Sequence, residues 1–205
     1  MIITLNRQFG SGGREIGRKV ADALNVPFYD KNIVSEIARR SGLHPDYIEE
    51  NSESFIGSMK FANIARSFTI YQETIPMQIQ IEQHNIIEEL GKDNTGVFVG
   101  RRADYVFQEK KPFKVFIYSS DINKRIERCM EHAKKHPEEN SAIKTEKEFE
   151  KEILKLDDSR RRYYEMYTDL KWEHPQNYNL CIDTARINID DAVEIIKNTF
   201  VKLSE

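Results

Sequence analysis

The feature that most constrains the fold is a glycine-rich segment close to the amino end of this 205-residue chain. Residues 2–5 form a mostly β-branched apolar run that is too short for a helix, so they predict a strand. Three glycines then fall within residues 10–13, where they allow backbone conformations that other residues avoid. Apolar residues at helical spacing follow, namely Ile16, Val20, Ala23 and Leu24. The segment therefore predicts a strand, a tight loop and a helix.

A loop of this kind suits a phosphate, because the start of a helix directs unpaired N–H groups and the positive end of its dipole at one point. The helix is expected to end at Asn25, which can adopt the left-handed C-cap conformation before Pro27. Phe28 and Tyr29 predict a second strand. Asp30 follows at its carboxyl end, where open α/β sheets bind ligands, and it can also cap the next helix. The alternative is an ordinary βα turn, although few such turns hold three glycines in four residues.

The loop departs from the phosphate-binding pattern G-x-x-x-x-G-K-[ST]. With Gly13 as the second glycine, Gln8 stands at the first glycine, Arg14 at the lysine and Glu15 at the hydroxyl residue. An arginine therefore replaces the lysine, and a carboxylate replaces the hydroxyl that binds Mg²⁺. The predicted phosphate-binding residues are Gly10, Ser11, Gly12, Gly13, Arg14 and Glu15.

Composition excludes several classes of function. Charged residues make up 32% of the chain with a net charge of −3, so no overall basic field recruits nucleic acid. Cys129 and Cys181 form no C-x-x-C unit, which argues against a disulfide framework or a cysteine zinc site. His132 and His136 lie four residues apart but have no third ligand in view, so a solvated helix face is expected. No apolar stretch approaches the roughly 18 residues of a membrane span. A soluble, cytoplasmic protein without membrane or nucleic-acid partners is expected.

Further short apolar runs predict three more strands, at residues 97–99, 115–118 and 180–182. Amphipathic segments between them predict helices, including one that ends at Gly42, one capped by residues 119–121 and a terminal helix through Ala192 and Ile196. Apolar strands that alternate with helices favour an α/β fold, with a mostly parallel sheet covered on both faces.

Residues 44–94 differ from the rest because their apolar side chains are mixed with Gln, Asn and Ser and show no strand alternation. They predict a mostly helical inserted lobe, whose last helix is started or kinked by Pro76 and ends at Gly91. One chain is not expected to bury all the apolar residues of this lobe, which makes its face at residues 55–81 a candidate homodimer surface. The residues concerned include Phe61, Ile64, Phe68 and Ile70.

Arginines occur at two places that favour an anion ligand. Arg101 and Arg102 follow the third strand at its carboxyl end, where a ligand role is more expected than plain surface charge. Arg160 lies on the apolar stripe of a long polar helix, and an inward arginine needs an anion or an acidic partner. That stripe consists of Phe149, Ile153, Leu156, Tyr163 and Tyr167. The alternative is an ordinary salt-bridged helix in which Asp157 pairs with Arg160 and Asp158 with Arg161.

Taken together, these residues resemble the cytidylate-kinase-like family, a relative of the P-loop nucleoside monophosphate kinases. The matching segments are residues 7–16, 28–31, 100–105, 157–164 and 172–184. The resemblance implies a P-loop NTPase-type three-layer sandwich with a five-stranded parallel sheet. It also implies one domain with its core at residues 1–34, 96–139 and 173–205, a monophosphate-binding-type insertion at 35–95 and a helical lid at 140–172.

The implied chemistry is transfer of the γ-phosphoryl group of ATP, with Mg²⁺, to a CMP- or dCMP-like nucleoside monophosphate or a related small molecule. By this resemblance Gly10 to Arg14 hold the donor phosphates, Arg101 holds the acceptor phosphate, and Arg160 with Arg161 closes over the transferring group. The implied catalytic residues are Arg14, Arg101 and Arg160. The implied substrate-binding residues are Asp30, Lys31, Arg101, Arg102, Asp104, Asp157 and Arg161.

Three departures from the family leave two hypotheses open. An ungapped alignment places Gly13 at the usual lysine, Glu15 at the usual threonine and Val99 at the aspartate before the Gly-Arg turn. The first hypothesis is an ATP-dependent kinase that uses an arginine clamp. The second is a nucleotide- or phosphate-binding regulatory module without kinase activity.

Overall fold

The computed structural model describes residues 1–45, 48, 75–137 and 144–204. Its five strands form one parallel sheet in the order β2-β3-β1-β4-β5. The strands are β1 (Ile2–Arg7), β2 (Phe28–Tyr29), β3 (Gly96–Val99), β4 (Phe113–Tyr118) and β5 (Leu180–Asp183). The predicted α/β fold with a five-stranded parallel sheet is therefore confirmed, with β1, β3, β4 and β5 one or two residues longer than the apolar runs indicate.

Seven α-helices occur in the described ranges. They are α1 (Gly13–Leu24), α2 (Lys31–Ser41), α3 (Ile75–Leu90), α4 (Ala103–Val106), α5 (Ile122–Lys135), α6 (Glu146–Thr168) and α7 (Ile189–Ser204). Two 3-10 turns, Gln108–Lys110 and Pro175–Asn177, complete the described elements. None of these helices has the length and apolar content needed to cross a bilayer.

The sheet is covered on both faces by apolar side chains. On one face α1 and α7 pack through Ile16, Val20 and Ile196 against strand residues. On the other face α2 and α3 pack through Ile37 and Ile86. Because both faces are buried, ligands can reach the sheet only at its edges, and parallel strands bring all their carboxyl ends to the same edge.

Several helix ends follow the expected chemistry. Asn25 and Gly42 take the left-handed C-cap conformation, with φ of 51° and 70°. Asp121 caps α5 by accepting a hydrogen bond from the Asn123 N–H, and Pro76 is the second residue of α3. Asp30 is different, because it occupies the N-cap position of α2 but makes no capping bond with its side chain. Its carboxylate pairs with Arg14 instead (Oδ2 to Nε, 2.6 Å), since a guanidinium offers a charged donor.

Part of the inserted lobe lies outside the described residues, as do the positions proposed above for a dimer surface: Phe61, Ile64, Phe68 and Ile70. The part that is described, α3, packs against α2 and α4.

Candidate anion-binding site

The loop between β1 and α1 forms a glycine cradle at the carboxyl edge of the sheet. Gly10 and Gly12 have left-handed backbones (φ 73° and 81°), and Gly12 is the N-cap of α1. Gly12 has no side chain to cap this helix, and no other described side chain accepts a bond from its first turn. The first-turn N–H groups of Gly13, Arg14 and Glu15 therefore have no acceptor within the part of the chain that the structure describes. Together with the helix dipole they form a site that favours an anion.

The cradle is held in place through its carbonyl groups. Three successive carbonyls accept hydrogen bonds from side chains outside the loop: Phe9 from Arg125 Nε (2.7 Å), Gly10 from Arg128 Nη1 (3.2 Å) and Ser11 from Thr184 Oγ1 (2.8 Å). In a trans peptide the following N–H points away from the carbonyl. Anchoring these carbonyls toward α5 and the end of β5 therefore turns the N–H groups of residues 10–12 away from those anchors. Space is also limited, since a Cβ on Gly10 would lie 2.9 Å from the Arg125 carbonyl oxygen.

Asp157 joins the long helix α6 to this loop. Its carboxylate accepts a hydrogen bond from the Phe9 N–H (2.7 Å) and forms an ion pair with the buried Arg125. Burial raises the pKa of Asp157, and the Phe9 N–H and Arg125 oppose that rise. The predicted substrate ligand Asp157 therefore contacts the loop, and it pairs with Arg125 of α5.

Four arginines line one cleft beside the loop, here called the arginine cleft. Its lining residues are Asn6, Arg7, Gly100, Arg101, Arg102, Arg160, Tyr163, Tyr164 and Trp172, around about 240 Å³ of space that includes the open mouth. Arg160 donates from Nη1 to the Arg7 carbonyl (3.2 Å) and lies over the Phe9 ring. The structure thus brings three predicted site residues together at the carboxyl ends of β1 and β3: Arg101, Arg102 and Arg160.

The two buried arginines after β3 are oriented by neutral groups from α3 and α6. Arg102 donates from Nε to the Tyr163 hydroxyl (2.9 Å) and from Nη2 to Gln80 Oε1 (3.1 Å). Gln83 bonds Arg101 at both its carbonyl and its Nη1 (3.4 Å each). Within the described residues no carboxylate pairs with Arg102, so its charge is not compensated there. A buried cation without a counter-ion favours an anionic ligand.

The Tyr163 hydroxyl is the centre of this network. It donates to Gln80 Oε1 (2.7 Å) and accepts from Gln83 Nε2 (2.7 Å) as well as from Arg102. These bonds match the one proton and two lone pairs of a phenol. The hydroxyl therefore links the described end of the inserted lobe, the turn after β3 and the long helix α6.

The remaining predicted ligands lie outside the arginine cleft. Arg14 is held by Asp30, and Lys31 is exposed at the start of α2. Glu15 is exposed and pairs with Lys19 (3.2 Å). Arg161 pairs with Asp158 and Glu165 along the outer side of α6, as the salt-bridged alternative proposes for that residue.

Asp104 is buried, and it is not among the residues that line the cleft. Its Oδ2 accepts a hydrogen bond from the Tyr164 hydroxyl (2.6 Å), and burial raises the pKa of this carboxyl. Because Tyr164 lines the cleft, the position of Asp104 favours a supporting contact over a direct one.

Sequence reasoning missed Arg7, Arg125, Gln80 and Gln83. Arg7 could have been found, because it ends a predicted strand directly before the glycines at the ligand-binding edge. Arg125 and the glutamines give no such signal, since their roles depend on contacts between segments far apart in the chain.

The cradle fits a phosphate chain, and the described residues do not form a metal site of their own. Three first-turn amides without an acceptor in the described residues suit phosphate oxygens, as does the left-handed backbone at Gly12 (φ 81°), where a side chain would be strained. No group of three His, Cys, Asp or Glu residues is placed to hold a metal ion in the described ranges. Glu15, at the hydroxyl position of the pattern, forms an ion pair with Lys19.

The profile of the Cytidylate kinase-like family matches residues 2–186. The chain belongs to the cytidylate kinase-like family.

Solved structures share the fold of this family member. An uncharacterized protein from Eubacterium ventriosum ATCC 27560 superposes with a TM-score of 0.69 at 24% identity over 98% of both chains. Shikimate kinase from Bacteroides thetaiotaomicron gives 0.56 at 16% identity over 98% of both chains. Shikimate kinase from Acinetobacter baumannii, in complex with shikimate, gives 0.54 at 15% identity over 98% of this chain and 93% of that one. No curated protein matches the chain.

Proposed function

We propose that this protein transfers a phosphoryl group from ATP to a nucleoside monophosphate of the CMP or dCMP type, or to a related small phosphorylated acceptor. The observation that carries the proposal is the arginine cleft beside the glycine cradle, at the carboxyl edge of a P-loop kinase fold. Phosphoryl transfer needs positioning and charge neutralisation more than covalent chemistry, and backbone amides and guanidinium groups supply both.

Each part of the site has a role in this proposal. The first-turn amides of α1 hold the phosphate chain of the donor, with the loop carbonyls fixed from behind. Arg101 and Arg102 bind and orient the acceptor phosphate, and Arg160 of α6 lies between them and the loop. Mg²⁺, when bound with the nucleotide, supplies charge neutralisation on phosphate oxygens, and a cation held mainly by phosphates and water needs few protein ligands.

The second candidate is a nucleotide-binding module without kinase activity. Two observations favour it. The start of α1 lacks the lysine of the pattern, and the neighbouring cation, Arg14, is already paired with Asp30. In this case the site would bind nucleotides in the same place without turnover.

A coupled assay of ADP release separates the two candidates. CMP, dCMP, UMP and AMP are offered as acceptors, with Mg²⁺ and with Mn²⁺, and binding is measured in parallel by calorimetry. Turnover of an acceptor supports the kinase, and binding without turnover under every condition supports the module. Binding of none of these nucleotides rejects both.

Variants then test the site itself. Arg101→Ala and Arg160→Ala should each lower kcat/KM by about 100-fold or more, the usual effect of removing one charge-stabilising donor. The matched control is Arg162→Ala, which removes the same charge from α6 at a residue that is half exposed and paired with Asp158 (2.8 Å). Equal activities of all three variants would mean that the site is placed wrongly.

A further inference from the structure

Two positions of the loop have exchanged their side chains relative to the P-loop pattern. The structure fixes the register, since Gly12 is the N-cap and α1 begins at Gly13. With Gly12 as the second glycine of G-x-x-x-x-G-K, the first glycine falls at Arg7 and the lysine at Gly13. This chain thus has a cation where the pattern has glycine, and glycine where the pattern has the cation.

These two positions touch each other. A Cβ on Gly13 would lie 2.6 Å from Arg7 Cβ, 3.1 Å from its Cγ and 3.3 Å from Ile117 Cβ. Arg7 Cβ and Ile117 Cβ are fixed to adjacent paired strands, so neither can move aside without shifting the sheet. Gly13 begins a regular helix and has no positive φ, so the lack of space explains its glycine better than backbone conformation does. The site has room for a side chain at one of the two positions only.

The side chain of Arg7 starts where a cation can act on a phosphate at the start of α1. Arg7 is the last residue of the central strand β1, and it lines the arginine cleft with Arg101, Arg102 and Arg160. Its Cβ and Cγ pass directly over Gly13, whose N–H belongs to the unpaired first turn of the helix. Its own carbonyl is held by Arg160 (3.2 Å), which fixes the backbone from which the side chain leaves.

We propose that Arg7 supplies the cation that contacts the donor phosphates, in place of the missing lysine. This inference rests on the proposed function and refines it, because the sequence assigns that role to Arg14. Arg14 is the weaker candidate, since it is not among the residues that line the cleft. A guanidinium also suits the role chemically: it keeps its charge at every relevant pH and can bind two phosphate oxygens at once.

The first experiment measures the binding of ATP and of adenosine to the whole protein by calorimetry. Arg7→Ala should weaken ATP binding by about 30-fold or more, since a hydrogen bond to a charged group is lost, and leave the much weaker adenosine binding unchanged. Arg7→Lys should recover part of the loss, because it restores the positive charge without the two-pronged donor geometry of the guanidinium. The matched control, Arg18→Ala, removes an exposed arginine of α1 that lies over Phe28, and should bind ATP as the wild type does.

The second experiment tests the exchange directly. Gly13→Lys alone should lower the unfolding midpoint in urea because of the 2.6 Å contact. The double variant Arg7→Gly, Gly13→Lys removes that contact and restores the first glycine and the lysine of the pattern, so it should recover both the midpoint and the affinity for ATP.

The outcomes separate the inference from the proposed function. If the wild type binds ATP and Arg7→Ala binds it equally well, the inference is wrong and the proposed function stands. A larger loss in Arg14→Ala than in Arg7→Ala also overturns it in favour of Arg14. A Gly13→Lys variant as stable as the wild type contradicts the geometric basis. If the wild type binds no ATP, the proposed function fails and the inference fails with it.

Discussion

The Tyr163 hydroxyl offers a sharp test of how the arginine cleft is held together. Tyr163→Phe keeps the ring, which is buried at 3% exposure, and removes only the oxygen that bonds Gln80, Gln83 and Arg102. Gln80 Oε1 keeps its bond from Arg102 Nη2, and Gln83 Nε2 keeps a long bond to the Arg101 carbonyl (3.4 Å). The most affected group is Arg102 Nε, because its hydrogen-bond acceptor is removed inside a buried site.

The hydrogen bonds lost in Tyr163→Phe determine the expected fall in the free energy of unfolding. One buried charged donor loses its partner and one amide donor is weakened, at about 1–3 kcal/mol for each unsatisfied group, so a loss of about 2–4 kcal/mol in the free energy of unfolding is expected. For a chain of this length that corresponds to a fall of very roughly 5–10 °C in Tm.

Urea unfolding can be followed by the fluorescence of Trp172, the single tryptophan, which is buried against Phe116 in an edge-to-face contact. The matched control is Tyr167→Phe, one turn further along α6. The Tyr167 ring lies 4.6 Å from the Arg102 guanidinium, and its hydroxyl makes no hydrogen bond within the described residues. If the free energies of unfolding of the two variants differ by less than about 0.5 kcal/mol, the reasoning is refuted, because ordinary surface substitutions fall in that range.

Three further predictions concern the loop and the buried carboxyl groups. Gly10→Ala should lower Tm and weaken ATP binding, since φ is +73° and the new Cβ would lie 2.9 Å from the Arg125 carbonyl oxygen; unchanged thermal melts and calorimetry would contradict this. Arg125→Met should cost about 3–5 kcal/mol in urea unfolding by leaving Asp157 buried without its cation, and the double variant Arg125→Met, Asp157→Leu should recover most of that loss. Asp104→Asn should raise stability at neutral pH. Burial raises the pKa of Asp104 in the folded protein, so the folded state binds the proton more tightly and loses stability as the pH rises above the ordinary value of 3.8. The urea midpoints of Asp104→Asn and of the wild type, measured from pH 4 to pH 8, should therefore diverge with rising pH. A difference that widens toward low pH would contradict the raised pKa of Asp104.

The architecture could be predicted from the sequence because its signals are local. Short β-branched runs, helical periodicity and residues such as Asn25 and Gly42 act within a few positions, and the parallel sheet follows from their alternation. The glycine loop was placed correctly for the same reason. Strand ends were displaced by one or two residues, since hydrogen bonds to neighbouring strands decide where a strand stops.

The partners of the charged side chains could not be predicted in the same way. Asp157 lies three residues before Arg160, a spacing typical of a local ion pair, but this spacing gives no sign of its ion pair with Arg125 from another helix. Arg14 shows the converse, because a cation beside the glycines fits the phosphate pattern but is held by Asp30 after β2. Helical spacing identifies neighbours on one helix, whereas these pairs depend on how separate elements pack.

The way the loop is anchored bears on how the site can open and close. Thr184 after β5 holds the Ser11 carbonyl, whereas Arg128, which holds the Gly10 carbonyl, belongs to α5, a helix that packs against α6. Asp157 is different, because it holds the Phe9 N–H from α6, the helix that also carries Arg160 and Tyr163. An outward movement of α6 would therefore break the Phe9–Asp157 bond and uncover the arginine cleft, while the bond from Thr184 to the Ser11 carbonyl would remain. The Ser11 end of the loop is thus held independently of α6, whereas Arg102 depends on α6 for its bond to the Tyr163 hydroxyl. Binding of the donor phosphates should thus depend little on the position of α6, whereas binding of the acceptor phosphate should depend on it strongly.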